Sequence, residues 1–481
     1  MDNRTTLLLN SLRAILANPA FRRPEDKALG EQMSFADTVL AWLVARHSDT
    51  PVLAGEIRNA YTQLLPALEK VCGGPDGAPA FSRLKDALAA PELTPEPVFA
   101  AAFDLLNVLQ AAGSPTTLDL QKQMIEIEGN YSRKFNTALV AAKKPEETGA
   151  ATAFNSKPYD EQALGRFIAE QYPTEQGVRI AKSSFMSGGA SKFTIGIELE
   201  GNHALPSSLV MRADAGSGFG GSSVTEEYRL LKVLHAHGAQ VAKPLAIEAS
   251  GGIFGSPFML VERRPGRMIG HMFIMPAPNL TTSRDVATQL AKIHSVPIDA
   301  FGSQTSGADK TTIQYVTAWL DQSYANWKTA DAPSALMESS FRWLKENVHL
   351  IDGRRTLVHG DYGLNNMLID NDRVAAVLDW EFAHIGNPVY DLGYFRFQAE
   401  ALGPWEEFLR AYEAAGGTVP DERQLDYANL LAETRLTVMT RQVEAAYFAG
   451  APLGAAGAFN AASGCRNMSD ERIAMLLNRV M

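Results

Sequence analysis

Three short stretches close together in the chain decide its fold. They read HGDYGLNN at 359–366, VLDWE at 377–381 and GNPVYDL at 386–392. Two apolar runs surround a turn at Asn371 and Asp372, and they predict a β-hairpin between the first two stretches. Such a hairpin returns Asn366 and Asp379 to one edge, beside the loop that carries Asp361.

Three oxygen-bearing side chains of this block suit phosphoryl transfer. That chemistry needs a carboxylate to orient the attacking hydroxyl and accept its proton, and it needs oxygen ligands for Mg²⁺, a hard cation. Asp361 lies five residues before Asn366, so one loop can present both. An isolated Asp or Asn in a turn is more often a cap or an Asx-turn residue. Together with Asp379, however, these residues resemble the catalytic loop and metal aspartate of the kinase fold.

The whole series, HGD-x4-N, LDWE and G-x-P-x-x-DL, resembles the aminoglycoside phosphotransferase (choline kinase-like) family from about residue 160 to the C-terminus. The helix end LAKIH at 290–294 and the Trp-bearing stretch 315–343 look closest to the subgroup associated with acyl-CoA dehydrogenases. Combined with the helical texture of the N-terminal part, this resemblance predicts the fold class α+β. A bilobal protein-kinase-like fold would be preceded by an all-α domain.

The resemblance also assigns roles to the central residues. Asp361 is the catalytic residue, which orients a substrate hydroxyl and takes its proton, while Asn366 and Asp379 hold the metal. The implied cofactors are ATP and Mg²⁺, and the implied partner is a small-molecule hydroxyl substrate. The predicted enzyme is therefore a small-molecule phosphotransferase with an alcohol group as acceptor.

Four further residues of the block receive supporting roles. His359 is predicted to fix the loop rather than act as a base, and Asp391 is predicted to brace it through hydrogen bonds. Glu381 could reach either the metal or the substrate, because a carboxylate beside a metal aspartate can serve both purposes. Trp380 is interpreted as a core residue and not as a stacking platform.

A glycine-containing turn, SGGASK at 187–192, lies between two strand-like runs. Glycines let backbone amides approach phosphate oxygens closely, although most glycine pairs are simply turns. In the family this turn covers the ATP phosphates. The nucleotide-binding residues predicted in the turn are Ser187, Gly188, Gly189 and Ser191.

The rest of the predicted nucleotide site comes from the next three elements. Arg212 stands where the family usually has Lys, and it keeps the positive charge for the phosphates although it is larger and forked. Glu227 is its predicted partner on the following helix, with Glu226 as the alternative. Val261 and Glu262 lie in the predicted hinge, where the backbone would contact adenine.

A competing motif, G-x-G-x-x-G at 216–221, follows a strand and precedes a helix. That context also suits a dinucleotide-binding turn, so an NAD(P)-binding Rossmann oxidoreductase is an alternative. Against it, the strand carries Arg212 and Asp214 where a buried parallel strand should stay apolar. The chain also lacks repeated βα units, and we interpret this loop as a flexible connector.

Changes in hydrophobic periodicity and composition along the chain predict four segments. Residues 1–143 form a helical domain of unknown role, through which the protein could dimerise or bind a partner protein. Residues 144–159 are a linker rich in Ala, Lys, Thr, Glu and Pro. Residues 160–264 form a β-rich nucleotide-binding lobe, and residues 265–481 form a mainly helical catalytic and substrate lobe.

Composition narrows the class of protein. The 481 residues are 46% apolar with a formal net charge of −10, which argues against a nucleic-acid partner. Cys72 and Cys465 lie far apart and match no metal spacing, as expected in a reducing compartment. The N-terminus does not read as a signal peptide, and no apolar run approaches a membrane span. We therefore expect a cytoplasmic protein with no membrane partner.

The sequence leaves several candidates for the molecule that accepts the phosphate group. The subgroup resemblance favours a hydroxyacyl-CoA, for which Arg263, Arg264 and Arg267 beside the hinge could bind the CoA phosphates. A phenolic or hydroxy-ketone catabolite is a second candidate, and an aminoglycoside is a third. A nucleotide-binding pseudokinase or regulatory partner is the non-enzymatic alternative, although all three central polar residues are present.

Overall fold

The computed structural model describes most of the chain as helices and antiparallel sheets. The described residues are 50–142, 160–172, 178–186, 192–201, 205–214, 221–270, 275–329, 333–351, 353–448 and 466–481. The helical periodicity noted within residues 1–49 and the predicted linker at 144–159 lie outside these ranges.

Helices make up most of the described residues. In chain order they are α1 (Thr50–Cys72), α2 (Ala78–Ala89), α3 (Pro95–Ala112), α4 (Pro115–Ala142), α5 (Glu161–Gln171), α6 (Val224–Ala236), α7 (Leu280–Ser295), α8 (Thr312–Thr329), α9 (Ala335–Glu346), α10 (Val389–Leu402), α11 (Trp405–Ala414), α12 (Glu422–Phe448) and α13 (Arg466–Val480). Within the described ranges, none of them combines the length and apolar character that a bilayer crossing requires.

The strands fall between α5 and α10. They are β1 (Arg179–Phe185), β2 (Lys192–Glu200), β3 (Ser208–Asp214), β4 (Pro244–Glu248), β5 (Phe258–Glu262), β6 (Thr356–Val358), β7 (Met367–Asp370), β8 (Arg373–Val377) and β9 (His384–Gly386). Short 3-10 turns occur at Ile298–Phe301, Val348–Ile351 and Leu364–Asn366.

Local sequence explains where several helices begin. Asp160, Ser223, Asn279 and Ser334 each stand at an N-cap, and each side chain accepts a hydrogen bond from a backbone amide of the first turn. Those amides have no partner within the helix, so a capping side chain stabilises the start by about 1 kcal/mol. The caps set the starts of α5, α6, α7 and α9.

The described residues divide into two compact units. One unit comprises Met1–Gly149, Val316–Leu350 and Asn429–Met481, and the other comprises Ala150–Tyr315 and Ile351–Ala428. The predicted segments follow chain order, whereas the units do not. The N-terminal helices share their unit with α9, α13 and most of α8 and α12, so this helical unit is assembled from three separate parts of the chain.

The helical unit has its own apolar core. Helices α1 to α4 meet at buried side chains that include Tyr61, Leu68, Leu84, Leu105 and Met124. Helix α13 packs against α4 at Gly129, where an added Cβ atom would lie 2.2 Å from the Cβ of Ala474. The missing side chain at Gly129 therefore permits the close approach of these two helices.

A buried carboxylate links α4 to α9 in this unit. Glu128 accepts hydrogen bonds from the Ser334 hydroxyl and from the Leu336 amide at 3.2 Å. Burial raises the pKa of Glu128 to about 7; the hydrogen bond from Ser334 acts against this rise, and the charge of Asp470 adds to it. The carboxyl group of Glu128 therefore titrates near neutral pH in the folded unit.

The second unit contains a five-stranded sheet in the order β1-β2-β3-β5-β4. Every neighbouring pair in this sheet is antiparallel. The Rossmann alternative is therefore wrong, because a dinucleotide-binding strand belongs to a parallel sheet. The α+β fold class with a kinase-like unit and helical N-terminal elements is confirmed.

The sheet carries a compact apolar layer on one face. Helix α5 contributes Leu164, Phe167 and Ile168 to a core shared with buried residues of β2, β3 and β5. The rings of Phe167 and Phe258 meet edge to face with centroids 5.0 Å apart. Helix α5 was not predicted, whereas β1 and β2 are the two strand-like runs expected on either side of the turn at 187–192.

The predicted hairpin is confirmed. Strands β7 and β8 pair antiparallel, and Met367 lies opposite Val377. The turn residues Asn371 and Asp372 have φ angles of 49° and 62°, the left-handed values that a tight hairpin turn requires. A second small sheet pairs β6 with β9, and β6 ends directly before the loop at 359–366.

Raising the pH from about 5 to about 8 is expected to destabilise the protein through Glu128. The native carboxyl binds a proton more tightly than the unfolded chain does, so its contribution to stability is complete below the ordinary pKa of 4.5 and is lost as the pH rises through about 7. The change in the free energy of unfolding is at most about 3 kcal/mol.

Thermal unfolding of Glu128→Gln measures this contribution, because the amide does not titrate. The melting temperature of the variant should fall less between these pH values than that of the wild type. Glu126→Gln is the matched control, since Glu126 is an exposed residue of the same helix. Equal pH slopes for Glu128→Gln and the wild type would contradict the prediction.

Candidate active site

Asp391 holds the backbone of the candidate catalytic loop, residues 359–366. It is fully buried in the first turn of α10, and its two oxygens accept hydrogen bonds from the amides of His359 (2.7 Å) and Gly360 (2.9 Å). His294 Nε2 lies 3.1 Å from the same carboxylate. Burial alone would raise the pKa of Asp391, but the hydrogen bond and charge of His294 and the loop amides hold it below its usual value.

His359 ties the loop to the end of the hairpin. Its Nδ1 accepts a hydrogen bond from the Asp361 amide at 3.2 Å, which leaves Nε2 to donate to the Leu378 carbonyl at 2.9 Å. The ring also packs against buried Trp380, with centroids 4.5 Å apart. Both ring nitrogens are therefore engaged, an arrangement that fits a fixing residue better than a general base.

The side chain of Asp361 is held at both oxygens. Asn366 Nδ2 donates to Oδ2 at 2.7 Å and to the Asp361 carbonyl at 2.9 Å. The Tyr394 hydroxyl donates to Oδ1. Tyr394 was not predicted from the sequence, although it lies three residues after Asp391 and so on the same face of α10.

Backbone geometry brings the hairpin to this loop. The Leu378 amide donates to the Asn366 carbonyl at 2.8 Å, which places Asp379 beside Asn366. Asp379 has a φ of 64°, a left-handed conformation that is uncommon for a residue with a side chain. Gly360 has a φ of 81°, and an added Cβ atom there would lie 2.4 Å from the Phe382 carbonyl oxygen. The loop therefore requires glycine at this position.

Arg212 of β3 connects α6 to the hairpin. Its guanidinium lies 3.0 Å from Glu227 Oε1 and donates to Asp379 Oδ1 at 2.9 Å. The structure therefore selects Glu227 rather than Glu226 as the partner of Arg212. Glu226 instead forms a capping box with Ser223, and the spacing S-x-x-E in the sequence could have shown this.

Of these three charged groups, Glu227 is buried, and Arg212 and Asp379 are partly buried. Burial raises the pKa of Glu227, while the charge of Arg212 acts in the opposite direction. Burial also opposes the charge on Arg212, but Glu227 and Asp379 outweigh it and raise the pKa of the guanidinium above its usual value. Arg212 therefore stays cationic and compensates the two carboxylates.

Lys192 is a second buried cation, and sequence reasoning had named only the backbone of its turn. Its Nζ donates to the Ser222 carbonyl at 2.6 Å and lies 3.1 Å from Asp214 Oδ1 and 4.0 Å from Glu381 Oε2. A Cβ atom on Gly221 would lie 2.5 Å from the same Glu381 oxygen. Lys192 and Gly221 thus both lie close to the carboxylate of Glu381.

The donor set fits a magnesium ion. Among the described residues, Arg212 and Lys192 face the carboxylates of Asp214, Glu227, Asp379 and Glu381. This excess of negative charge suits a divalent cation, and carboxylate and amide oxygens are the ligands that Mg²⁺ prefers. Asn366 Nδ2 is bonded to Asp361, so the amide oxygen is the atom that can bind the ion.

Protein carboxylates alone do not complete such a site. Nowhere in the described ranges do three or more His, Cys, Asp or Glu side chains converge as a metal cage. A magnesium ion held by Asp379 and Asn366 would therefore need further oxygens from phosphate and water, which is how Mg²⁺ is usually bound in sites that handle phosphates.

The comparison with family models agrees with this arrangement. The model described as the phosphotransferase enzyme family, APH, matches residues 221–427, which include the catalytic loop, the hairpin and Asp391. These residues form a phosphotransferase-family domain. The predicted resemblance to this family is confirmed over these residues.

Relatives of the phosphotransferase domain occur in longer proteins. Acyl-CoA dehydrogenase family member 10 of Mus musculus is 33% identical over 182 residues, which cover 36% of this chain and 16% of the relative. Hygromycin-B 4-O-kinase of Escherichia coli is 32% identical over 115 residues, which cover 24% of this chain and 34% of that enzyme. The chain therefore matches only a minor part of the length of these relatives.

A solved structure shows the same fold as the phosphotransferase domain. It is a Ralstonia eutropha protein assigned to the aminoglycoside phosphotransferases, with a TM-score of 0.52 and 19% identity. The alignment covers 67% of this chain and 99% of that protein. At this level of identity the likeness supports the fold alone.

The remaining residues that were predicted to bind the nucleotide lie in different settings. Four of them lie outside the described residues: Ser187, Gly188, Gly189 and Ser191. Val261 is an interior residue of the sheet, paired with Val210 and Pro244. The Glu262 amide donates to the Lys243 carbonyl at 2.9 Å, so a contact between Glu262 and adenine would use another group of that residue.

The three arginines near the predicted hinge are not equivalent in the structure. Arg263 lies 2.9 Å from Glu198, and Arg264 donates to the Ala375 carbonyl at 3.1 and 3.2 Å. Arg267 is exposed, and its backbone pairs with Ile369 of β7. Two of the three arginines that could have bound CoA phosphates are therefore engaged within the phosphotransferase domain.

Asp391→Asn is expected to destabilise the phosphotransferase domain by about 3 kcal/mol, because one carboxylate oxygen becomes an N–H₂ group that cannot accept from the loop amides. Urea unfolding of the full chain measures the loss. Asp370→Asn is the control, since Asp370 is an exposed residue at the end of β7. Equal effects of the two variants would contradict the bracing role.

Arg212→Met should destabilise the protein by about 3–5 kcal/mol, because it leaves Glu227 buried without its compensating charge. The double variant Arg212→Met/Glu227→Gln removes both charges and should recover part of this loss. A double-mutant cycle based on melting temperatures measures the coupling. Additive destabilisation by the two substitutions would show that the pair is not coupled.

Proposed function

We propose that this chain is an ATP- and Mg²⁺-dependent kinase that transfers the γ-phosphate to a hydroxyl of a small molecule. One connected set of contacts carries the proposal. Asn366 bonds to Asp361 at 2.7 Å, its carbonyl bonds to the Leu378 amide at 2.8 Å, and Asp379 bonds to Arg212 at 2.9 Å. A candidate base, two candidate metal ligands and a phosphate-binding cation thus occupy one site.

In this proposal each residue of the site has its own role in the reaction. Asp361 orients the acceptor hydroxyl and accepts its proton as the new oxygen–phosphorus bond forms, while the bond from the γ-phosphorus to the bridging oxygen breaks and ADP leaves. Asp379 and the amide oxygen of Asn366 would hold the metal. Bound ATP with Mg²⁺ would supply the transferable phosphoryl group and offset the charge that develops on it. His359 and Asp391 keep the loop in place, because they bind its backbone on both sides of Gly360.

Arg212 supplies positive charge to the phosphates in this proposal. Its guanidinium is planar with five N–H donors, so it can keep the contact with Glu227 while another N–H binds a phosphate oxygen. The backbone amides of residues 187–192 would approach the same phosphates. Glu381 lies 4.0 Å from Lys192 and keeps both proposed roles, at the metal or at the substrate.

The acceptor class is proposed from the relatives. Similarity to acyl-CoA dehydrogenase family members supports a hydroxyacyl-CoA or another hydroxylated catabolite, such as a phenol or a hydroxy-ketone. Similarity to hygromycin-B 4-O-kinase supports an aminoglycoside as the alternative acceptor.

We further propose that the N-terminal helices bind a second copy or a partner protein, and that the protein is cytoplasmic.

Asp361→Ala and Asp379→Ala are each expected to lower phosphoryl transfer by about 10²- to 10⁴-fold. An ATP-consumption screen over hydroxyacyl-CoAs, phenols, amino alcohols and aminoglycosides identifies the acceptor and measures the loss. Asp361→Ala should retain stabilisation by ATP with Mg²⁺ in thermal unfolding, whereas Asp379→Ala should lose the part that depends on Mg²⁺.

Asp370→Ala is the control, because its exposed side chain lies on the same hairpin. If Asp361→Ala or Asp379→Ala turned over substrate at a rate close to that of the wild type, the assignment of the site would be wrong. A chain that binds ATP but consumes none with any acceptor would instead be a pseudokinase.

A further inference from the structure

The two oxygens of Asp361 have different neighbours. Oδ2 accepts from Asn366 Nδ2 at 2.7 Å, and Asn366 is a proposed metal ligand. Oδ1 accepts from the Tyr394 hydroxyl. In the proposed reaction the metal side of the carboxylate is therefore Oδ2, and Oδ1 is the oxygen left to receive the proton of the acceptor.

Tyr394 belongs to the element that also fixes the backbone of the loop. Asp391 and Tyr394 lie three residues apart on α10 and so share one face of the helix. Asp391 holds the His359 and Gly360 amides, while Tyr394 holds the carboxylate of the next residue along the loop. Helix α10 thus fixes both the position of the loop and the rotation of the Asp361 side chain.

The ring of Tyr394 is itself supported. It stacks on Tyr390, one turn earlier in the same helix, with centroids 6.5 Å apart and an angle of 19° between the rings. Tyr394 is partly exposed, whereas Tyr390 is buried. The hydroxyl is therefore held by a packed, partly exposed ring on the Oδ1 side of the carboxylate.

We propose that Tyr394 is a positioning residue that fixes the Asp361 carboxylate for the acceptor, its hydroxyl sharing Oδ1 with the acceptor hydroxyl. This inference rests on the proposed function. A carboxylate oxygen has two lone pairs, so Oδ1 can accept from Tyr394 and from an acceptor together. Without the phenol, Asp361 is held by Asn366 alone and is free to turn away from the line of attack.

Tyr394→Phe tests the proposal, because it removes the hydroxyl and keeps the ring on Tyr390. Phosphoryl transfer to the acceptor found in the screen is measured for the wild type and the variant. A displacement of about 1 Å at a reacting group can cost about 10²-fold, so kcat should fall by about 10- to 100-fold. The KM for ATP and the melting temperature should stay close to those of the wild type, because the hydroxyl donates to Asp361 and the ring is retained in the variant.

Tyr390→Phe is the matched control, since it removes a hydroxyl from the same helix one turn away, and its kcat should stay close to that of the wild type. A Tyr394→Phe variant with the kcat of the wild type would overturn the positioning role and leave the proposed function standing. A parallel rise in the KM for ATP and loss of melting temperature would show a general structural role instead. A wild-type chain that transfers phosphate to no acceptor removes the proposed function and this inference together.

Discussion

The buried carboxylate of Asp391 holds two consecutive backbone amides, and the geometry of the catalytic loop follows from those bonds. With the amides of His359 and Gly360 fixed, the His359 ring reaches the Leu378 carbonyl and joins the loop to the hairpin. The buried carboxylate of Asp391 accepts from these two amides and from His294 Nε2. It stabilises the folded state as long as all three donors remain. The position of Asp361 thus depends on a residue 30 positions later in the chain, counted from the numbering.

A second set of buried charges joins the sheet to the same hairpin. Arg212 lies between Glu227 of α6 and Asp379, while Lys192 joins β2 to the residues before α6. Replacing such buried ions with apolar residues of similar size often costs no stability. Their presence at this position therefore fits a site prepared for phosphate and metal better than a device that only stabilises the fold.

Much of the domain could be predicted from local pattern. The hairpin, α6 and β5 have strong signals because apolar spacing and turn residues agree within a few positions. Tyr394 and Lys192 were missed because their partners lie 33 and 30 residues away, and only the folded backbone brings them together.

The contact between Arg212 and Asp379 has a consequence for the order in which ligands bind to the proposed kinase. The guanidinium neutralises the aspartate that would hold the metal, so a free magnesium ion has to compete with a tethered cation. A metal that arrives already bound to a nucleotide also brings phosphates, and these offer the arginine a new partner as it leaves the carboxylate. In the proposed kinase the same ion pair would therefore disfavour binding of the metal alone and favour binding of metal and nucleotide as one complex.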